Sequence, residues 1–205
     1  MILTGPEIAR AVAAGDIHID DFDPTRLEPN SYGFRLAPEL LVYDKEMLDS
    51  QQAPPSTGIT MDAAGHVLEP GRFYLGSTME TMGSPHYAAT LYACRSVSTL
   101  GVWIQFSAPL GHSGALFPWT LEITVANPVR LYPGMCIGKL AFWAMQGEPL
   151  LYDGKYTGST AAVASRLSED PSGPGEMSHA PEPPGTGTHT TSPGPLAVLP
   201  ATEGS

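Results

Sequence analysis

Apolar residues recur at two periods along this chain, and the change of period divides it. Near the start, Ile8 and Val12 fall four apart, on one face of a helix. Ahead of them, Thr4-Gly5-Pro6-Glu7 has the form of a capping box, with Pro6 in the first turn where its missing N–H costs nothing. Gly15 stands where a left-handed residue ends a helix. From Ile17 onward the dominant period is two. The runs IHI, YGFRL, LLVY, RFYLGST, ATLYAC, VWIQF and IGKLAFWAM are separated by Pro, Gly and Asp. Many short strands at this spacing predict an all-β barrel or sandwich rather than βαβ units. Tyr132-Pro133-Gly134-Met135 reads as the turn that feeds the last long strand.

The clearest strand is LFPWTLEITVANP, residues 116–128. Trp119, Leu121, Ile123 and Val125 occupy one face, and Thr120, Glu122 and Thr124 the other. A carboxylate in the middle of such a strand has two readings. It is one polar residue of a solvated face, or it is a general base held in a pocket. The alternation by itself favours the solvated face.

Past Leu167 the pattern stops. PSGPGEMSHAPEPPGTGTHTTSPGP is rich in Pro, Gly, Ser and Thr and nearly free of large apolar residues. Such a segment cannot bury enough surface to offset its ordering entropy. The expectation is a folded body over 1–167 and a disordered acidic tail over 168–205, with His179 and His189 solvated.

Composition then narrows the classes. The chain has 205 residues and a formal charge of −11. Glu169, Asp170, Glu176, Glu182 and Glu203 lie in the tail, which leaves 16 acidic against 10 basic residues in 1–168. An acidic body argues against a long nucleic-acid groove, but a phosphorylated small ligand needs only a few cations at one site. No apolar run is long enough to span a bilayer, and the N-terminus lacks the basic and apolar regions of a secretory signal. Cys94 and Cys136 are far apart in apolar surroundings, which predicts buried free thiols of a cytoplasmic protein. Neither cysteines nor histidines have zinc-ligand spacing, so a zinc-dependent deaminase is excluded.

Several segments, in order, resemble the dCTP deaminases of the dUTPase superfamily. They are Glu28-Pro29-Asn30-Ser31-Tyr32-Gly33-Phe34-Arg35-Leu36, LEPGRFYLGSTMETM (68–82), RSVSTLG (95–101), Thr120-Leu121-Glu122, LYPGMCIGKLAFW (131–143) and KYTGSTAAVASRL (155–167). The resemblance implies a distorted β-barrel of the dUTPase-like type with a short N-terminal helix. It implies a homotrimer with nucleotide sites at subunit interfaces and Mg²⁺ carried on the phosphates. Glu122 matches the catalytic glutamate of that family. Zinc-independent deamination asks one desolvated carboxylate to take a proton from water and pass it to the base. The remaining implied roles are Ser96 as an orienting donor, the Ala108 backbone as a base contact, and Arg95 and Lys155 as phosphate contacts. Ser98 beside Arg95, and Tyr152 and Tyr156 of the C-terminal arm, belong to the same set.

The ligand-facing positions depart from the family pattern. The segment after Arg95 is one residue short, so the family's second arginine falls on Thr99, and its serine on Ser96 or, with the gap upstream, on Arg95. The aspartate that holds the sugar falls on His112, an early aspartate on Gly33, and a glutamine on Ser159. Loss of a preorganised guanidinium beside a base costs on the order of 10²–10³ in rate. His112 is the substitute acid/base or base-reading group; otherwise it is a loop histidine with one backbone hydrogen bond. Arg95 is otherwise a rim salt bridge and Lys155 an exposed lysine. Lys139 is a further phosphate contact or a solvated strand-end lysine. Met79, Met82, Met135, Trp103, Trp119 and Trp143 read as core and interface packing.

Three functions follow: a deaminase of a cytosine nucleotide, dCTP or an altered substrate, a dUTPase-like phosphohydrolase, or a non-catalytic nucleotide-binding trimer. Nothing in the sequence points to a nucleic-acid or membrane partner.

Overall fold

The computed structural model describes residues 1–170, so the tail expectation for the remaining residues and its two histidines lie outside the described residues. The N-terminal pattern forms as its residues dictate. Helix α1 spans Gly5–Ala14; Thr4 Oγ1 accepts the Glu7 N–H at 3.4 Å, and Gly15 closes the helix at φ 81°. Ile8 and Ala11 bury its apolar face.

The strands are β1 (His18–Ile19), β2 (Leu27–Glu28), β3 (Ser31–Arg35), β4 (Glu39–Tyr43), β5 (Ser56–Thr60), β6 (His66–Leu68), β7 (Tyr74–Gly83), β8 (Tyr87–Ala93), β9 (Val102–Trp103), β10 (Leu110–Gly111), β11 (Phe117–Val125), β12 (Val129–Leu131) and β13 (Cys136–Ala144). A short helix, α2 (Arg95–Thr99), precedes β9. All pairings are antiparallel. One sheet runs β5-β4-β7-β11-β9 with β1 also on β7, a second runs β10-β8-β13-β3-β2, and β12 pairs with β6.

The strands do not close into one continuously hydrogen-bonded barrel; they form sheets wrapped on a shared core. The passage from β3 to β4 shows why. Leu36 bridges Thr78, the Ala37 N–H donates to Ser77 O, and Pro38, with no N–H, breaks the ladder between the sheets. Tyr32, Phe34, Leu40, Tyr74, Leu121, Ile123, Leu140 and Phe142 fill the interior.

One charged group enters that interior. Glu80 on β7 is 1% exposed and is held by Arg26 and by Arg35, whose Nε donates at 2.7 Å and backbone N–H at 3.0 Å. Lys139, read as a phosphate contact or a solvated lysine, instead reaches from β13 across β3 to pair with Glu28 of β2 at 2.8 Å. Met82 and Trp119 are core, whereas Met79 and Trp103 are exposed. The cysteines also differ from expectation: Cys94 is half-buried and Cys136 exposed, and their sulfurs lie 3.8 Å apart. Strand pairing between β8 and β13 joins what the sequence separates by 42 positions.

Candidate active site

The site begins with the two faces of β11. Trp119, Leu121, Ile123 and Val125 are buried, and Thr120, Glu122 and Thr124 turn to the other side. Glu122 lies opposite Leu75 of β7, so the two side chains share that outer face. Beside it, the run VWIQF makes only two residues of strand. Ile104 O still accepts the Glu122 N–H at 3.0 Å, and the chain then turns so that the Phe106 N–H donates to Glu122 Oε2 at 2.9 Å. An amide aimed at one carboxylate oxygen fixes the other towards the space beyond.

That space is a cavity of about 520 Å³. Its floor is the outer face of β11 and β7. One wall is the segment from Ala108 to His112, which includes β10, and the roof is the C-terminal arm carrying Tyr152, Tyr156 and Ser159. Specific bonds hold the arm down. Tyr152 N–H donates to Ser113 O at 2.7 Å, Val163 N–H to Thr120 Oγ1 at 3.2 Å, and Ser165 N–H to Tyr43 OH at 3.1 Å. The His112 ring stacks on Tyr152 at 5.9 Å, and Phe117 meets Tyr152 edge-on at 6.1 Å. Tyr43 and Phe73 stack at 6.3 Å on the opposite side. The lining is thus aromatic, hydroxylic and aliphatic around a single carboxylate, Glu122, among the described residues.

Of the residues singled out by sequence, Glu122, His112, Ala108, Tyr152, Tyr156 and Ser159 come together at this cavity. Arg95, Ser96, Ser98 and Thr99 do not line it. They are exposed on α2, which packs on β9, and β9 pairs with Thr124 and Val125, so α2 lies past the far end of β11. Lys155 does not line it either. Its Nζ donates to Arg166 O at 3.1 Å and to Asp170 at 2.6 Å, so within one chain it ties the arm to itself. Among the described residues, no lysine or arginine lines the cavity.

Tyr43, Phe73, Thr120, Val163 and Ser165 line the cavity and were not singled out. Thr120 was accessible to reasoning, since it is two residues from Glu122 on a strand and therefore on the same face. The aromatic pair was not. Tyr43 and Phe73 meet only through the pairing of β4 with β7.

A family model described as dCTP deaminase-like matches residues 2–145. Among curated proteins, the chain is 38% identical over 171 residues to "dCTP deaminase, dUMP-forming" of Hathewaya histolytica, covering 83% of this chain and 99% of that one. It is 37% identical over 171 residues to the protein of the same description from Cytophaga hutchinsonii, covering 83% and 98%. It is also 36% identical over 148 residues to a dCTP deaminase of Rhodopirellula baltica, covering 72% and 74%. The fold is similar to that of a crystal structure of 2'-deoxycytidine 5'-triphosphate deaminase from Agrobacterium tumefaciens, with a TM-score of 0.57 and 18% identity, over 70% of this chain and 48% of that longer one. The match over residues 2–145, more than half of the chain, places the chain in the dCTP deaminase-like family.

Proposed function

We propose that the protein deaminates dCTP by zinc-independent hydrolysis and, like the relatives named dUMP-forming, also removes the terminal phosphates. The observation that carries this reading is Glu122: one carboxylate facing a cavity otherwise lined by aromatic, hydroxyl and aliphatic groups, with Oε2 committed to the Phe106 amide.

The chemistry follows from that geometry. The free oxygen of Glu122 takes a proton from water as the water oxygen bonds to cytosine C4, and returns the proton to ring N3. The tetrahedral centre then collapses. Its new hydroxyl gives a proton through Glu122 to the amine, the C–N bond breaks, and ammonia leaves with a uracil carbonyl in place. The arm over the cavity keeps bulk water from the base during these transfers. A second water then attacks the α-phosphorus, the P–O bond to the β-phosphate breaks, and pyrophosphate leaves, giving dUMP.

A triphosphate needs cations, and one chain's cavity offers none. The reading therefore includes a homotrimer in which α2 of a neighbouring subunit brings Arg95, Ser96 and Ser98 to the phosphates. Mg²⁺ fits the donor set only as an ion held by phosphate oxygens and water, because the cavity wall supplies a single carboxylate. It would neutralise phosphate charge. His112, stacked on Tyr152, stands where the family's sugar-binding aspartate is expected, and Thr99 where its second arginine is. Both bear on which sugar is preferred and on rate.

The test incubates purified protein and Mg²⁺ with cytosine and uracil nucleotides, ribo and deoxy, mono- to triphosphate, with mass detection of products. Conversion of dCTP to dUMP and ammonia is the expected result. Phosphate release from dUTP with every cytosine nucleotide intact would make it a phosphohydrolase, and saturable binding with no product a binding protein. Glu122→Gln is expected to fold normally and to lose 10²-fold or more of turnover, on the order of a general base's contribution. Full activity in that variant would remove Glu122 from the mechanism.

A further inference from the structure

Cys94 and Cys136 stand outside the cavity, and the deamination reading makes no use of them. Cys94 follows β8 and caps α2; Cys136 opens β13. In the β8–β13 register Lys139 faces Tyr92, and the Cys94 N–H donates to Ile137 O at 3.1 Å. Strict alternation would put Ile137, not Cys136, on the face of Cys94. A register irregularity between Cys136 and Gly138 on the β3 side supplies an extra residue. Ile137 turns fully into the core, and Cys136 stays on the surface beside Cys94. Gly33 on β3 makes the space: a Cβ there would lie 3.1 Å from Cys136 Sγ. The glycine that departs from the family's aspartate is therefore matched by the sulfur that occupies its neighbourhood.

The sulfurs are 3.8 Å apart, and a disulfide needs about 2.0 Å, so small rotations of two side chains on neighbouring strands close the gap. The Cys94 S–H donating to Cys136 brings the Cys136 thiol down to about 7, against burial and the Glu28 and Glu80 carboxylates, with Arg26 assisting. The same bond, with burial, pushes the Cys94 thiol up. Cys136 is the more exposed residue of the two, so the thiolate settles there.

We propose that Cys94 and Cys136 form a dithiol site that reacts with low-molecular-weight disulfides and closes into an intramolecular bond between β8 and β13. The Cys136 thiolate attacks one sulfur of the disulfide RSSR. The new S–S bond forms as the RS–SR bond breaks, and the leaving thiolate takes a proton from water. Cys94 then gives its proton to solvent and attacks the Cys136 sulfur, expelling the second thiolate. Two protein thiols are oxidised, and one small disulfide is reduced to two thiols. The closed bond ties the start of α2, which carries Arg95 and Ser96, to β13.

The test uses full-length protein, reduced and freed of reductant, then exposed to oxidised glutathione and followed by intact mass, peptide mapping and thiol titration. The wild type is expected to become lighter by two hydrogen atoms, to carry no adduct, and to yield a Cys94–Cys136 peptide. Cys94→Ser is expected to keep one glutathione on Cys136, and Cys136→Ser to stay unmodified over the same time. Persistent glutathione adducts on the wild type, links between subunits, or both thiols still free would each overturn the proposal. So would Cys136→Ser reacting as fast as the wild type. If a serine variant fails to melt cooperatively, the wild-type mass and peptide map decide alone.

Discussion

Glu80 and Glu122 are carboxylates on neighbouring strands of one sheet, and their surroundings give them opposite tasks. Glu80 is sealed among two guanidiniums and a backbone amide, every oxygen occupied. Removing one member of such a buried set leaves the others uncompensated. Glu80→Ala is expected to destabilise the protein by roughly 3–5 kcal/mol in urea unfolding, with Glu80→Gln milder because it preserves shape and an acceptor. A loss under about 1 kcal/mol for Glu80→Ala would mean that the arginines find water instead. The Glu28–Lys139 pair is a smaller case, since both side chains are partly exposed. Its Lys139 partner holds the Glu28 carboxyl below its ordinary value of 4.5, and Glu28 holds the Lys139 ammonium above its ordinary 10.5. The Glu28 share of stability is therefore present above pH 4.5 and lost as pH falls through its lower folded value. The Lys139 share is present below pH 10.5 and lost as pH rises through its higher folded value. Glu28→Gln should cost up to about 1 kcal/mol at neutral pH and flatten the acid limb of a stability-against-pH curve.

At the scale of elements, β11 does two jobs through its two faces, and the cavity depends on the packing of the buried one. Gly111 on β10 has no room for a side chain: a Cβ would sit 1.6 Å from the Trp119 ring. Trp119 in turn donates from Nε1 to Met82 O at 3.0 Å. Gly111→Ala should push the indole off that bond, costing about 1–3 kcal/mol as overpacking does, and it should impair nucleotide binding because both residues line the cavity. A thermal melt and a binding titration on the same sample check it; an unchanged melt would mean that β10 shifts freely. The arm is held by weaker means. Thr120→Val removes the acceptor for the Val163 amide two residues from Glu122. It should raise KM several-fold while leaving the melt within about 0.5 kcal/mol of wild type. A fall in kcat alone would show that Thr120 acts on the chemistry rather than through the arm.

The whole molecule raises the question of completeness. Among the described residues, one chain assembles a cavity with one carboxylate and no lysine or arginine, and displays Arg95 on α2 elsewhere. If neighbouring subunits complete one another, Glu122→Gln and Arg95→Ala homotrimers should each be nearly inactive, while trimers mixed from the two should regain part of wild-type activity. No recovery on mixing would place Arg95 and Glu122 in the same site of one chain, or Arg95 in none.

What was legible in the sequence was local or carried by order along the chain. The α1 cap from Thr4 to Gly15 forms because each contact lies within a few residues. The two faces of β11 follow from a strand's period of two, and the C-terminal arm was visible as a segment. The tertiary structure alone decided which distant pieces meet. Pairing of β4 with β7 put Tyr43 beside Phe73, pairing of β8 with β13 put Cys94 beside Cys136, and the β9 edge carried α2 away from the cavity of its own chain. Local sequence specifies backbone preference and facing. Register between strands far apart in the chain is set by the burial of many side chains at once, which no single segment contains.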